Sequence, residues 1–209
     1  MLPSNQTMRS YNHLKALEGR RWTGYIQRAL MGLLLIAVSG SSVFAQNAEQ
    51  RDVINREYAI KAAFLYHFST YIQWPPEMLP SEDHPFIIGV YRENPFGSAL
   101  EKIAKTKSVD GRPIKIQRIT SPNEARHCEI LFVPGSVPPQ QQDAVSRALQ
   151  GSPVLVVGET EGFISRGGDA QFFVEGNKVR FAFSADVAKQ EDLKVSSKLL
   201  ALAEIIPSN

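Results

Sequence analysis

Three short runs of apolar residues, separated by segments of helical character, constrain the fold of this chain most strongly. The runs Phe86–Tyr91, Glu129–Val133 and Pro153–Val157 consist almost entirely of apolar residues. A strand that is apolar on both faces must be covered on both faces, as in parallel sheets with helices on either side. Residues 97–105 and 138–149, which lie between these runs, have helical patterns. We therefore predict an α/β fold, with a single domain built on a mixed, mostly parallel sheet flanked by helices.

The C-terminal part of the chain adds an antiparallel element to this plan. Residues Gln171–Glu175 and Lys178–Ser184 flank Gly176-Asn177, a pair that fits a two-residue turn, so a hairpin is predicted. Pro113–Ile119 alternates and is predicted to be a further strand. The chain should end with a closing helix capped by Ser196 or Ser197. One face of that helix would carry Leu199, Leu202 and Ile206.

The first 45 residues have the order of a secretory signal peptide. A basic stretch precedes the apolar run Ala29–Val38, which at ten residues is shorter than the ~20 residues that a membrane span needs. Small residues then lead to Ala45, after which cleavage is predicted. A retained anchor or a buried helix is the alternative. We predict a signal peptide over residues 1–45, a flexible lead-in over 46–56, an α/β domain over 57–209, and a periplasmic location.

Charge argues against a nucleic-acid partner. Residues 46–209 carry 18 Lys and Arg against 20 Asp and Glu, so the mature chain has a net charge near −2. The whole-chain excess of basic residues belongs to the signal region. A domain without a basic field is not expected to bind nucleic acid.

The segment Glu57–Gln73 is predicted to be a helix with apolar residues on nearly all of its circumference. Leu65 and Ile72 lie away from the main predicted face, which contains Ile60, Phe64, His67, Phe68 and Tyr71. Such a helix is either enclosed by its own domain or buries its second face against another chain. Aromatic residues dominate the energetics of interfaces. The candidate partner-interface or dimer-interface residues are therefore Tyr66, Tyr71 and Trp74.

The sequence contains no catalytic or metal-binding motif, so we predict a protein that is not an enzyme and needs no metal or cofactor. Its histidines lack ligand spacing. Adjacent residues in a strand point to opposite faces, so His127 and Cys128 should not form a catalytic pair. Cys128 is the single cysteine and is expected to be a buried strand residue, with an intermolecular disulfide or a reactive thiol as the alternative.

A ligand-binding role remains the alternative to a protein-binding one. Open α/β sheets bind small molecules at the ends of their strands. Asn94, Arg166 and Arg180 are candidates to surround a small anion there. Gly167-Gly168 is interpreted as a turn that precedes a hairpin strand.

Several segments, taken in order, resemble the YfiR family of periplasmic regulatory proteins. The resemblance begins with AIKAAFLYHFSTYIQWP from Ala59 and continues through HCEILFV from His127 and PVLVVGETEGFISRGG from Pro153. Asn94-Pro95-Phe96-Gly97 and Gly111-Arg112-Pro113-Ile114 lie between them. The ending, KVRFAF and LKVSSKLLALA, is similar as well. The resemblance covers essentially the whole predicted mature chain.

This resemblance implies a non-catalytic function. Members of the family repress an inner-membrane diguanylate cyclase of the YfiN type, or act beside another sensor protein, by binding its periplasmic sensor region. Repression keeps cyclic di-GMP low and restrains biofilm growth. The resemblance further implies a homodimer and an outer-membrane lipoprotein of the YfiB type that sequesters the repressor. The best-known members use paired cysteines, which the lone Cys128 cannot reproduce.

Overall fold

The protein is described here from a computed structural model over residues 50–207. Residues from Ile54 onward form one compact unit. The predicted signal peptide lies outside the described residues. No helix within residues 50–207 is long and apolar enough to cross a membrane.

Six helices and ten strands make up the described chain, together with two short 3₁₀ helices at Pro76–Met78 and Ile164–Arg166. The first helix, α1, spans residues 50–71. The other helices are α2 (Ala99–Thr106), α3 (Pro122–Ala125), α4 (Pro139–Leu149), α5 (Ala185–Gln190) and α6 (Ser197–Leu200). The strands are β1 (Ile72–Gln73), β2 (Phe86–Tyr91), β3 (Ser108–Val109), β4 (Arg112–Ile119), β5 (Ile130–Val133), β6 (Leu155–Gly158), β7 (Ala170–Glu175), β8 (Lys178–Phe183), β9 (Lys194–Val195) and β10 (Glu204–Ile205).

Eight of the strands form one mixed, mostly parallel sheet in the order β10-β8-β7-β6-β5-β2-β4-β3. Strands β4, β2, β5, β6 and β7 are parallel neighbours, and β10 is parallel to β8. The β7–β8 hairpin and the β3–β4 pair are antiparallel. The predicted fold class is therefore confirmed. Strand β4 lies on one side of β2, and β5, which follows β4 in the chain, lies on the other side of β2. The order of the strands therefore reverses between β2 and β5, the position at which open α/β sheets commonly bind ligands.

Both faces of the sheet are covered, which explains why its central strands are apolar throughout. All residues of β2, β5 and β6 are buried. One face packs against α1 and α2 through a core that includes Phe68, Leu100 and Phe132. The other face packs against α3 and α4 through a second core that includes Leu131 and Val145.

The β7–β8 hairpin has the predicted turn. Gly176 and Asn177 have φ values of 54° and 62°, as a type I′ turn requires. Gly167, with φ of 96°, ends the second 3₁₀ helix in the left-handed conformation. Gly168 has a different role, since a Cβ atom there would lie 2.2 Å from the Phe163 ring. The turn at Gly167 is confirmed, and Gly168 is required by packing.

The face of α1 that packs on the sheet is not the predicted one. Leu65, Phe68 and Ile72 are buried together with Ala62, whereas Ile60 and His67 are exposed. Of the predicted face, only Phe68 belongs to the core. Because α1 is apolar on nearly all sides, periodicity could not decide which face the sheet covers. The helix also ends two residues early, since Ile72–Gln73 pairs with β9.

The closing helix is shorter than predicted. Ser196 caps it as expected, accepting a hydrogen bond from the Lys198 N–H, but α6 makes only one turn. Leu199 is buried, whereas Leu202 is 70% exposed. The following residues pair with β8, and the Ile206 N–H donates to the Phe183 carbonyl at 3.0 Å. The edge of β8 offers backbone hydrogen-bonding groups, and residues 204–206 pair with them as β10 instead of continuing the helix.

Candidate functional site

The outward side of α1 is the candidate functional surface. Ile60, Phe64, His67 and Tyr71 follow one another at spacings of four, three and four residues, so they lie along one side of the helix. We name these four residues the outer stripe. Ile60 is 44% exposed, His67 is exposed, and Phe64 and Tyr71 are half-buried. The stripe is therefore an accessible surface made mainly of apolar and aromatic side chains.

Ring contacts hold three of the four side chains of the outer stripe in place. The His67 ring stacks on Tyr71, with centroids 6.2 Å apart. The Phe64 ring lies 6.0 Å from Phe172 and 5.3 Å from Phe181, both in the hairpin. A stripe that is already ordered loses little side-chain entropy when another protein covers it.

A buried ion network connects α1 to the carboxyl ends of β5 and β6. The Lys61 ammonium lies 2.6 Å from a Glu159 oxygen and 2.5 Å from Glu57. The other Glu159 oxygen accepts from the Tyr58 hydroxyl at 3.0 Å and from the Gly135 N–H at 2.6 Å. Burial, followed by the charge of Glu159, raises the pKa of Tyr58. The network fixes the position of α1 on the sheet, and with it the direction in which the outer stripe points.

Aromatic rings fill the region between β2 and β5, where open α/β sheets usually bind ligands. The Tyr58 ring packs edge-on against Phe96, with centroids 5.4 Å apart. Phe96 in turn packs against Phe132, the third residue of β5, at 4.7 Å. Side chains of the protein itself therefore occupy this part of the sheet edge.

The three predicted interface aromatics have different environments. Trp74 is only 9% exposed, packs edge-on against Phe86, and donates from Nε1 to the Glu129 carbonyl at 3.0 Å. It therefore has a structural role in the core. Tyr66 is half-buried, and its hydroxyl lies 3.5 Å from the Ser108 carbonyl. Tyr71 belongs to the outer stripe.

The predicted anion-binding residues each have their own partners. Asn94 accepts a hydrogen bond from the Phe96 N–H and contacts Glu101. Arg180 pairs with Glu175 across the hairpin at 3.0 Å. Arg166 pairs with Asp143 of α4 at 2.9 Å. In the described part of the chain, Arg166 lines a cleft to which neither Asn94 nor Arg180 contributes.

His127 and Cys128 are separated as the sequence predicted. His127 is exposed, whereas Cys128 is fully buried in the turn that precedes β5. Cys128 was expected in a strand, and it lies two residues before one. Burial raises the pKa of its thiol to about 12, which leaves it unreactive at neutral pH. Within residues 50–207, no three His, Cys, Asp or Glu side chains are grouped as metal ligands.

The comparison with known families decides what the chain is related to. The model of the YfiR/HmsC-like family matches residues 58–204, from α1 to β10. The chain belongs to this family. YfiR/HmsC-like proteins are periplasmic and regulatory, and they act in cyclic di-GMP signalling. The match includes the outer stripe and the network around Lys61.

Sequence reasoning did not identify Lys61 and Glu159 as important. The sequence did contain a signal that Lys61 forms an ion pair, because this lysine stands in an otherwise apolar stretch of α1, four residues after Glu57. Glu159 is 98 residues away from Lys61 in sequence and follows β6 in a polar loop. Only the packing of α1 over the strand ends brings the two together.

Proposed function

We propose that this protein is a periplasmic regulator that binds the periplasmic sensor region of an inner-membrane diguanylate cyclase, or of a similar sensor, and represses its signalling. Membership of the YfiR/HmsC-like family supports a regulatory role in cyclic di-GMP signalling. The protein would act by binding alone, with a different affinity for the inactive and active states of its partner.

The outer stripe of α1 is the observation that carries this proposal. The stripe combines the exposed Ile60 and His67 with the half-buried rings of Phe64 and Tyr71, and an accessible patch of this kind favours contact with another protein. The row contains aromatic rings, which commonly contribute most to interface energies. Since the Lys61 network holds α1 against the sheet, the stripe forms a firm surface that a sensor domain can contact without reorganising the repressor.

The experiment measures cyclic di-GMP in cells that carry a matched pair of variants. Ile60 and Ile205 are both isoleucines, 44% and 49% exposed, but Ile205 lies in β10 and outside the stripe. We expect Ile60→Asp to raise cyclic di-GMP as gene deletion does, and Ile205→Asp to leave it at the wild-type level. Deleting the partner cyclase should abolish the rise in both the deletion strain and the Ile60→Asp strain.

Folding must be shown separately. Circular dichroism and melting temperature should be nearly the same for Ile60→Asp and the wild type, because Ile60 does not belong to the core. A folded Ile60→Asp protein that represses as well as the wild type would reject the outer stripe as the contact surface. Unchanged cyclic di-GMP in the deletion strain would reject the cyclase as partner.

A further inference from the structure

A polar pocket adjoins the end of α1, where the helix gives way to β1. Its volume is about 490 Å³. Tyr71, the last residue of the outer stripe, forms part of its wall, and the rest comes from neighbouring residues of α1, β1, β9 and the start of α6. We name it the lysine pocket, because Lys194 and Lys198 line it. The outer stripe and the lysine pocket therefore share Tyr71 and form one continuous surface.

The pairing of β1 with β9 determines which side chains reach the lysine pocket. The two strands are antiparallel, with Ile72 opposite Val195 and Gln73 opposite Lys194. Successive residues of a strand point to opposite faces. Ile72 and Val195 pack against the core, so Gln73 and Lys194 point away from it and line the pocket.

The second lysine is positioned by the start of α6. The Ser196 N–H donates to the Tyr71 carbonyl at 2.9 Å, which ties the beginning of α6 to the end of α1. Lys198 lies two residues further along and lines the pocket with Lys194. Both lysines are exposed, so their ammonium groups are accessible from outside the protein.

The lysine pocket carries positive charge that the protein does not neutralise. No Asp or Glu belongs to its lining. Within residues 50–207, neither Lys194 nor Lys198 forms an ion pair. Two like charges at one pocket repel each other, so this arrangement does not stabilise the fold. It does favour a negatively charged group supplied from outside.

Covering the outer stripe would also cover the lysine pocket, since Tyr71 belongs to both. An ammonium group that loses contact with water is strongly destabilised unless it gains a partner of opposite charge. We infer that the sensor region presents acidic side chains to the lysine pocket, where they pair with Lys194 and Lys198. This inference rests on the proposed function and adds the chemistry by which the partner is selected. Such charge pairs increase specificity and accelerate association.

The experiment measures binding of the full protein to the purified periplasmic region of the partner cyclase by calorimetry. We expect wild-type affinity to fall as ionic strength rises from about 0.01 M to about 0.15 M, because the screening length shortens from about 30 Å to about 8 Å. The double variant Lys194→Gln/Lys198→Gln should bind about tenfold more weakly at the lower ionic strength and lose most of this salt dependence.

Two further variants make the comparison specific. Lys102→Gln/Lys115→Gln removes two exposed lysines that lie outside the pocket, and it should bind as the wild type does. Lys198→Glu should bind more weakly than Lys198→Gln, because it repels an acidic partner as well as removing the attraction. All these variants should keep the wild-type melting temperature, since the replaced side chains are exposed.

The outcomes separate this inference from the proposed function. Wild-type affinity and salt dependence in Lys194→Gln/Lys198→Gln, together with lost binding in Ile60→Asp, would overturn the inference and leave the proposed function intact. Failure of the wild type to bind the sensor region would reject both. Light scattering should show the wild-type mass for the double variant. A change of mass would mean that acidic groups of a second copy, and not of the sensor, occupy the pocket, which would also overturn the inference.

Discussion

At the scale of single residues, the buried acid Glu129 has the clearest measurable consequence. Its side chain is fully buried beside Trp74, and its Oε2 accepts from the Ile87 N–H at 2.5 Å. Its other carboxylate oxygen has no hydrogen-bond partner among residues 50–207. Burial raises the pKa of Glu129 from 4.5 to about 7, against the opposing effect of the Ile87 hydrogen bond.

This raised pKa predicts that stability falls with increasing pH. The folded state holds the Glu129 proton more tightly than the unfolded state does, so the contribution is intact below pH 4.5 and is lost as pH rises to about 7. We expect Glu129→Gln, which keeps an acceptor for Ile87, to reduce the loss of unfolding free energy between pH 5 and pH 8 by about 3 kcal/mol.

Urea denaturation at several pH values measures this difference. Glu82→Gln serves as the control, because Glu82 is exposed and its replacement should leave the pH profile unchanged. Asp169 and Glu191 are also buried acids with raised pKa values, so part of the pH dependence should persist in Glu129→Gln. Identical profiles for Glu129→Gln and the wild type would contradict the prediction.

At the scale of elements, the position of α1 depends on the ion pair between Lys61 and Glu159. Their side chains are only 5% and 9% exposed, so removing Lys61 leaves the buried carboxylate of Glu159 without its ammonium partner. We expect Lys61→Met to lower the unfolding free energy by about 3 kcal/mol. The double variant Lys61→Met/Glu159→Gln should lose less than the sum of the single variants, because it removes both buried charges and leaves only the partly exposed Glu57 without its lysine.

Chemical denaturation of the four members of this double-mutant cycle provides the measurement. Arg180→Gln, which breaks the exposed pair with Glu175, should cost about 1 kcal/mol or less. Additive losses for Lys61 and Glu159 would show that the network does not hold α1 in place.

The elements of the fold differ in how far their positions can be predicted from sequence. Strands buried on both faces, such as β2 and β5, are identifiable because each is a short apolar run between turn signals. The hairpin was predictable because Gly176-Asn177 specifies its turn geometry. The face of α1 was not predictable, since several sides are apolar and only tertiary packing selects one. The end of α6 depends on the open edge of β8, which a local pattern does not reveal.

The candidate site was predictable only in part, because residue type and helical position do not reveal tertiary contacts. Tyr71 was identified from its residue type and its helical position, and the structure leaves it accessible. Trp74 had the same features but lies in the core, because its indole reaches the Glu129 carbonyl. Arg166 was identified as an anion-binding candidate, but its neighbours in the cleft come from α4 and α5, which are distant in sequence.

At the scale of the whole molecule, the outer stripe predicts self-association of the protein. One sheet face covers only part of the apolar circumference of α1, and Ile60 remains accessible. We expect a homodimer in which a second copy covers part of α1 and leaves the rest of the outer stripe to the sensor. The dimer should not depend on a disulfide, because Cys128 is fully buried and its thiol pKa is raised to about 12.

Light scattering at micromolar concentrations tests this dimer. Cys128→Ser should have the wild-type mass under both reducing and oxidising conditions.

Tyr71→Ala should weaken association by about 2 kcal/mol if the ring is an interface residue, and should lower only the melting temperature if its main contacts are internal. A monomeric Ile60→Asp protein would place Ile60 in the dimer interface, whereas an Ile60→Asp dimer that no longer represses would indicate that Ile60 contacts the sensor. A wild-type protein that stays monomeric at high micromolar concentration would contradict the dimer and leave the stripe available to the sensor alone.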